Sequence, residues 1–307
     1  MTSTSKEKGF DRARGALLGL AVGDAIGTTV EFKQRGTFRP LTDMVGGGPF
    51  KLLPGQWTDD TSMALCLAAS LVENGFDTLD QMQRYTLWHD EGYMSSNGHC
   101  FDIGNATSTA LERFRRSGNP VAGSTRSDSA GNGSIMRLAP VPIYYLDTPE
   151  RAIELSEAQS KTTHRAPECL MSCRLLAEAL IRALQGLPKD QLMAPSQQIL
   201  PMSDALKSIA EGQYKTKSET QIRGTGYVVE SLEAAFWCFW QTDSFKDCVL
   251  LAANLGDDAD TTAAVAGQLA GAFYGETGIP QPWLKKLTMV KEIGQLAEQL
   301  ANRIPKG

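Results

Sequence analysis

Two acidic motifs, one near each end of the chain, contain the residues best suited to chemistry. Residues 58–61 read Thr-Asp-Asp-Thr, and residues 257–261 read Asp-Asp-Ala-Asp-Thr. Neighbouring carboxylates repel one another unless a cation lies between them. Carboxylate and hydroxyl oxygens are hard ligands that suit Mg²⁺, Mn²⁺ or Ca²⁺ better than Zn²⁺. The two motifs therefore predict a hard-metal site, and so many carboxylates favour two ions over one.

Each motif also has alternative interpretations. Thr58 stands where the N-cap of a helix is expected, and aspartates in a first turn complement the helix dipole, but one carboxylate would suffice for that. The second motif is not an EF-hand, because the sixth and twelfth positions counted from Asp258 hold Ala263 and Leu269. The chain has three histidines and no HExxH motif, which argues against zinc.

Composition and charge narrow the classes of partner. A net charge of −5 gives no basic excess to hold a phosphate backbone, which argues against nucleic acid. Residues 1–10 lack the apolar stretch of a signal peptide, and the apolar segment 15–30 is interrupted by Asp24 and too short to span a bilayer. The six cysteines form no dense framework and are expected to be buried thiols. We therefore expect a cytoplasmic protein without a membrane partner.

Apolar residues at helical spacing predict the elements that must position the motifs. Helices are predicted over residues 61–74, 151–160, 168–185, 227–240 and 245–255. The best strand candidate, 141–146, is weakened by Pro142. The less regular segment 187–226 is interpreted as a surface excursion with a short helix near 203–211. An all-α fold follows.

Glycines recur every four residues in two stretches. They are Gly15, Gly19, Gly23 and Gly27 in the first stretch, and Gly267, Gly271 and Gly275 in the second. On a helix this spacing makes a smooth stripe, along which another helix can approach closely. If both acidic motifs serve one site, they must meet in one body. We therefore predict a flexible segment at 1–10 and a single domain at 11–307.

Seven segments resemble the ADP-ribosylglycohydrolase family, the relatives of dinitrogenase reductase-activating glycohydrolase. Together they run from about residue 12 to residue 275, in the order found in the family. They are GALLGLAVGDAIGTTVEF (15–32), GQWTDDTSMAL (55–65), FDIGNATSTAL (101–111), GNGSIMRLAP (131–140), THRAP (163–167), GTGYVVESLEAAFW (224–237) and NLGDDADTTAAVAGQLAGAFYG (254–275). Any one segment would be a weak signal, whereas seven in order are a strong one.

The resemblance implies a compact, single-domain orthogonal helical bundle with two Mg²⁺ or Mn²⁺ ions in a central cleft. The metal ligands that match the family's motifs are Thr58, Asp59, Asp60, Asp258, Asp260 and Thr261. Many members of the family have glycine where this chain has Asp257. We expect Asp257 to point away from the ions.

The resemblance also implies residues that contact the substrate. Glu31 and Asp102 match carboxylates near the reacting ribose and are expected to be catalytic together with Asp59 and Asp60. The matching substrate-binding positions are Gly104, Asn105, Asn132, Gly133, Ser134, Met136 and His164. Backbone N–H groups of the glycine-rich loop 131–136 are expected to hold a diphosphate. For His164, a purely structural role remains an alternative.

The implied activity is metal-dependent removal of ADP-ribose from a modified protein, with arginine-linked ADP-ribose as the leading substrate. Other linkages remain open: serine-linked, O-acetyl-ADP-ribose, poly(ADP-ribose) and nucleobase-linked. A rival of a different class is an immunity or regulatory protein that blocks a cognate ADP-ribosyltransferase by covering it. A third is a Mg²⁺-dependent phosphohydrolase, which would usually draw on histidines or Glu-rich helices that are not found here.

Overall fold

Fourteen α-helices and five 3₁₀ turns make up the computed structural model, which describes residues 3–192 and 203–302. The helices are α1 Ser3–Gly27, α2 Asp59–Asn74, α3 Thr78–Glu91, α4 Asn105–Ser117, α5 Pro140–Tyr144, α6 Pro149–Ser160, α7 Pro167–Gln185, α8 Lys189–Leu192, α9 Asp204–Ala210, α10 Val228–Gln241, α11 Phe245–Asn254, α12 Ala259–Tyr274, α13 Gln281–Lys286 and α14 Val290–Ala301. The 3₁₀ turns are Thr28–Val30, Ser127–Ser129, Gln213–Thr216, Glu219–Gln221 and Glu276–Gly278. Three isolated β-bridges, and no sheet, occur in the described ranges.

The predicted all-α class and single domain are confirmed. The five predicted long helices correspond to α2, α6, α7, α10 and α11. The short helix predicted near residue 203 is α9, where the Ser203 side chain accepts a hydrogen bond from the Leu206 N–H. Residues 193–202 of the predicted excursion lie outside the described residues. Helical periodicity was thus a sufficient signal for these helices, whereas the amphipathic helices α4 and α14 were not predicted.

The strand predicted at 141–146 is wrong, because this segment forms the short helix α5. Pro140 and Pro142 lie in the first turn, where a helix has no use for their missing N–H groups. The Tyr145 N–H donates to the Val141 carbonyl at 3.0 Å, which closes a helical turn. The apolar residues of α5 are buried and pack against α2, α6 and α14.

The two glycine stripes face each other along antiparallel α1 and α12. A Cβ on Gly19 would lie 2.4 Å from the carbonyl oxygen of Gly267, and one on Gly23 would lie 2.0 Å from that of Ala263. The backbones are therefore in direct contact, which is why glycine is required there. The predicted close approach of a second helix is confirmed. The same pairing brings the end of α1 to the beginning of α12.

α1 begins at Ser3 and runs without a break across residue 10, where the sequence suggested a boundary between a flexible segment and the domain. The positions of that boundary and of the domain's end at residue 307 stay predictions. Within the described residues, no helix is both long and apolar enough to cross a membrane.

Candidate active site

The end of α1 and the beginnings of α2, α4 and α12 meet around one buried cavity. Gly27, at the end of α1, packs on the backbone of Ala259 and Asp260, and Glu31 follows within one turn. Asp59 and Asp60 occupy the first turn of α2. The positive ends of helix dipoles favour carboxylates at such positions. The α1–α12 contact therefore carries Glu31 to the second acidic motif.

Asp24 of α1 fixes the beginning of α2. This carboxylate is fully buried and accepts hydrogen bonds from the backbone N–H groups of Thr58 and Thr61, at 2.9 and 3.0 Å. It also accepts from both threonine hydroxyls, at 3.0 and 2.6 Å. Thr58 occupies the N-cap position, but its own side chain makes no capping bond. The sequence interpretation missed this role, although a lone aspartate in an apolar helix was a usable signal.

Direct hydrogen bonds join the two acidic motifs. The Thr58 hydroxyl lies 3.4 Å from Asp260 Oδ2, and the Thr261 hydroxyl donates to Asp60 Oδ1 at 3.2 Å. Asn132 Nδ2 donates to Asp258 Oδ2 at 2.8 Å, which ties the glycine-rich loop to the second motif. The residues predicted to bind metal therefore lie in one cluster, as a single site requires.

A cavity of about 510 Å³, here called the inner chamber, is bounded by most of the predicted site residues. Those that line it are Glu31, Asp59, Asp60, Asp102, Gly104, Asn105, Asn132, Gly133, Met136, His164, Asp258, Asp260 and Thr261. Thr58 does not line the chamber, although its hydroxyl contacts Asp260, which does. Neither does Ser134, whose hydroxyl accepts a bond from the Cys173 thiol on α7. Asp257 is also outside the lining, as expected.

Carboxylates crowd the inner chamber. One oxygen each of Glu31, Asp102 and Asp260 lies within 4.8 Å of the others. Burial, with the charge of Asp102 second, raises the pKa of Glu31 to about 9, and burial raises the pKa of Asp102 to about 7. The pKa values of Asp59, Asp60 and Asp260 are raised well above their usual range, first by burial and then by neighbouring carboxylates.

This arrangement fits divalent cations. Asp60 Oδ2 and Asp260 Oδ1 are buried without a hydrogen-bond partner, although both are strong acceptors. None of the residues that line the inner chamber is lysine or arginine. Buried carboxylates without a counter-charge cost several kcal/mol each, so the chamber is an acidic cluster suited to positive ions.

His164 lines the chamber, and a short network of hydrogen bonds connects it to Arg137 in the core. Its Nδ1 lies 2.9 Å from the Thr163 hydroxyl, and Thr163 accepts from Arg137 Nη2 at 2.8 Å. Arg137 is fully buried, lies over the Tyr85 ring and makes further bonds to Gln159. Burial, with the Arg137 charge second, lowers the pKa of His164 to about 3. The imidazole is therefore neutral at physiological pH.

Three non-glycine residues at the chamber adopt left-handed backbone conformations. Phe32 has φ +62°, Asp102 has φ +60° and Asp257 has φ +57°. Such conformations cost roughly 1 kcal/mol or more and persist where the surrounding structure enforces them. Phe32 lines the chamber, although its side chain is 70% exposed. Aspartate adopts this conformation more readily than most residues, so Phe32 is the unusual one of the three.

A second cavity, the outer chamber, continues from the inner one along α4. It measures about 630 Å³ and shares Asn105, Ala106, Gly131 and Gly226 with the inner chamber. Its own lining residues are Thr109, Arg113, Ser124, Ser127, Asp128, Ser129, Ala130 and Tyr227. The carboxylates of the inner chamber and Phe32 do not reach it. The two chambers thus form a groove that is acidic at one end only.

Comparison with known proteins gives consistent matches over nearly the whole chain. Residues 5–307 match the family model described as ADP-ribosylglycohydrolase. The ADP-ribosylarginine hydrolase Tri1 of Serratia proteamaculans (strain 568) is 47% identical over 302 residues, covering 98% of this chain and 82% of that protein. The ADP-ribosyl-[dinitrogen reductase] glycohydrolase of Rhodospirillum rubrum is 34% identical, covering 92% of each chain. A solved structure described as an ADP-ribosylglycohydrolase-related protein complex has a TM-score of 0.85 at 43% identity, covering 96% of this chain and 98% of that chain.

Proposed function

The chain belongs to the ADP-ribosylglycohydrolase family, as its seven segments indicated, and we propose that it removes ADP-ribose from modified arginine side chains of proteins. The relatives with 47% and 49% identity are both named ADP-ribosylarginine hydrolase. The relative from Rhodospirillum rubrum is named for a protein substrate, dinitrogen reductase. The reaction adds water across the bond between the anomeric carbon of the ribose and a guanidinium nitrogen, and it releases ADP-ribose and arginine.

One observation carries the proposal: two acidic motifs from opposite ends of the chain meet at a single buried chamber. A protein that needed only a stable core would gain nothing from this, because buried like charges destabilise the folded state. All six predicted metal ligands belong to this cluster. Their joint presence favours an enzyme over a purely structural relative.

We propose that an ADP-ribosyl group lies along the groove that the two chambers form. We place the reacting ribose in the inner chamber, beside Glu31, Asp102 and Asp260. The diphosphate then lies along the loop at Asn132 and Gly133, and the adenosine extends into the outer chamber, where the free space continues. The N–H of Asn132 already donates to the Gly226 carbonyl, so the diphosphate would have to use other donors of the predicted loop.

Two Mg²⁺ or Mn²⁺ ions are proposed as cofactors. Their ligands would be oxygens of Thr58, Asp59, Asp60, Asp258, Asp260 and Thr261, which include the two unpartnered buried carboxylate oxygens. When bound, such ions would stabilise the charge that develops on oxygen atoms during the reaction and would activate water at neutral pH.

Glu31 and Asp102 are proposed to handle protons and to orient the substrate. Their carboxyl oxygens converge on the same point as Asp260, so either can accept a hydrogen bond from a ribose hydroxyl or exchange a proton with the leaving nitrogen. Thr28 lies behind Glu31, with its hydroxyl 3.4 Å from Glu31 Oε2. His164, which is neutral and held by Thr163, can only offer a hydrogen bond.

Substitution of Asp258, with its neighbour Asp257 as a control, tests the proposal. Asp258→Asn and Asp60→Asn are expected to lower the release of ADP-ribose from ADP-ribosylated arginine at least about 100-fold, because each removes a charge from the metal cluster. Asp257→Asn should retain near wild-type activity, because its side chain does not line the chamber and asparagine tolerates its backbone conformation. Activity would be scored as ADP-ribose released in Mg²⁺ or Mn²⁺ buffer.

Peptides with other linkages separate the remaining alternatives. Release from ADP-ribosyl-serine but not from ADP-ribosyl-arginine would contradict the proposed linkage. If neither is cleaved, and the Asp60→Asn variant still blocks an ADP-ribosyltransferase, the chain is an immunity protein instead.

We further propose that the protein acts in the cytoplasm. This is supported by its six cysteines, which form no disulfide and of which five are buried.

A further inference from the structure

Phe32 is an exposed aromatic residue held at the mouth of the inner chamber. Its ring is 70% exposed, yet it lines the same chamber as the carboxylates and directly follows the buried Glu31. We propose that Phe32 packs against the guanidinium group and aliphatic chain of the modified arginine, so that it selects the leaving group. This inference rests on the proposed function and goes beyond it by assigning the residue that recognises the arginine.

The backbone around Phe32 is held rigidly despite the exposure of the side chain. The Phe32 N–H donates to the Asp257 carbonyl at 2.7 Å, and the Asp257 N–H donates to the Lys33 carbonyl at 2.8 Å. Arg35 stabilises the position of the same segment, because its guanidinium donates hydrogen bonds to the carbonyl oxygens of Leu255 and Ile222. These bonds hold Phe32 in its left-handed conformation. A strained backbone conformation beside a candidate active site motivates a functional role for the residue that adopts it.

The direction of the groove places the leaving group beside Phe32. The outer chamber opens from the inner one at Gly131 and Gly226, and Phe32 takes no part in it. If ADP-ribose fills the groove from the carboxylates outward, its anomeric carbon faces away from the adenosine. The group attached there must leave the inner chamber along lining residues that the outer chamber does not share. Among these residues, Phe32 has the exposed large apolar side chain.

The chemistry of the two groups is complementary. A guanidinium is planar and weakly hydrated, and it stacks favourably on an aromatic face. The carboxyl groups of Glu31 and Asp102 line the same chamber as Phe32 and can accept hydrogen bonds from a guanidinium. Stacking of this kind changes affinity by about 3- to 30-fold. A serine leaving group offers neither the plane nor the positive charge, and an acetyl group lacks the positive charge.

A comparison of Phe32→Leu with Phe32→Tyr tests the proposal. Leucine keeps an apolar side chain with a similar backbone preference but lacks the aromatic face. We expect Phe32→Leu to lower kcat/KM for ADP-ribosyl-arginine by about 3- to 30-fold, and Phe32→Tyr to restore it. Inhibition by the product ADP-ribose, which has no leaving group, should stay unchanged in both variants. Leu79→Ala, which changes an exposed apolar residue on α3 outside the cavity, is the control for a general surface effect.

Each result decides one point. A Phe32→Leu enzyme that matches the wild type on ADP-ribosyl-arginine would overturn the role of Phe32 and leave the proposed function intact. A parallel loss of ADP-ribose affinity would also overturn it, because Phe32 would then contact the ADP-ribosyl part or merely support the fold. A wild-type protein that releases no ADP-ribose from arginine would overturn the proposed function, and the role of Phe32 with it.

Discussion

Residues of one type play opposite roles in this site, and their hydrogen bonds separate the roles. Asp24 is fully buried, but its oxygens accept four bonds from Thr58 and Thr61, so its interactions are complete within the fold. Asp60 and Asp260 are equally buried and each leaves an oxygen without a partner. An unfilled buried acceptor costs about 1–3 kcal/mol, more for a charged group. The first aspartate therefore fixes the beginning of α2, whereas the other two each keep an oxygen free for a ligand.

His164 gives a residue-level prediction about acid stability. Its pKa is lowered to about 3 by burial and by the charge of Arg137, against an ordinary value of 6.5. As the pH falls below 6.5, the unfolded chain takes up a proton on this residue that the folded chain does not. The free energy of unfolding therefore falls with pH in this window, and is not lost in this way at higher pH. His164→Gln should reduce that slope by up to about 1.4 kcal/mol per pH unit.

Urea unfolding at several pH values between 7 and 5 provides the measurement. Carboxylates with raised pKa values titrate in the same range in both proteins, so the difference between the two slopes isolates His164. Equal slopes for the wild type and the variant would contradict a neutral, buried imidazole.

The sequence predicted most of the residues that meet at the inner chamber, because its motifs are local, whereas the roles of these residues stay predictions. Thr-Asp-Asp-Thr and Asp-Ala-Asp-Thr are contiguous, and matching segments marked Glu31, Asp102 and His164. Ser134 was predicted to belong to a loop that binds through its backbone; it does not line the inner chamber, and its hydroxyl accepts a bond from the Cys173 thiol. Asp24 and Phe32 were not singled out, since their roles depend on a capping partner in another helix and on a strained turn. Spacing along the chain carries neither kind of information.

At the level of the elements, the contact between α1 and α12 gives a sharp prediction. Gly23→Ala would place a Cβ 2.0 Å from the Ala263 carbonyl oxygen, so the two helices would have to separate. We expect a loss of more than about 3 kcal/mol in the free energy of unfolding, and a loss of activity because Glu31 would move away from Asp260. The matched control is Gly9→Ala in the same helix.

Gly9 has no atom within 4 Å of an added Cβ, so alanine there should be neutral or stabilise α1 by up to about 1 kcal/mol. Urea unfolding and ADP-ribose release would be measured for both variants. A Gly23→Ala protein with wild-type stability would show that the helices tolerate separation. The close contact would then not be what positions the site.

The helices predicted from apolar spacing are all present, but the amphipathic helix α14 and the short helix α5 were not predicted. The segment at 141–146 contains alternating and aromatic residues, yet Pro140 and Pro142 suit a first helical turn and the segment is helical. The glycine stripes predicted close packing but not the partner, because either stripe could have faced any smooth helix. Only the fold shows that they face each other.

At the scale of the whole molecule, the carboxylates that serve function in the chamber lower the stability of the fold. Four chain segments converge so that carboxylates from α2, α12 and two loops share one buried volume without lysine or arginine in its lining. Dipoles at the beginnings of α2 and α12 offset part of the repulsion, but only by about 0.3–1 kcal/mol for each charge. The apo protein should therefore be less stable than its core alone would allow, and cations should recover the difference.

Addition of Mg²⁺ or Mn²⁺ should raise the Tm relative to a sample in chelator, because an ion that binds only the folded state stabilises it by mass action. At 100 times the dissociation constant, one ion stabilises the folded state by about 2.7 kcal/mol, which raises the Tm by roughly 4 °C for a chain of this size. The Asp60→Asn variant should differ from the wild type both in chelator and in metal. In chelator it should be at least as stable as the wild type, since one repelling carboxylate is gone, and the increase in Tm on adding metal should be smaller.

A wild-type Tm that is the same in chelator and in metal would rule out a cation site in the inner chamber. A large loss of stability for Asp60→Asn in chelator would instead make Asp60 a structural residue like Asp24.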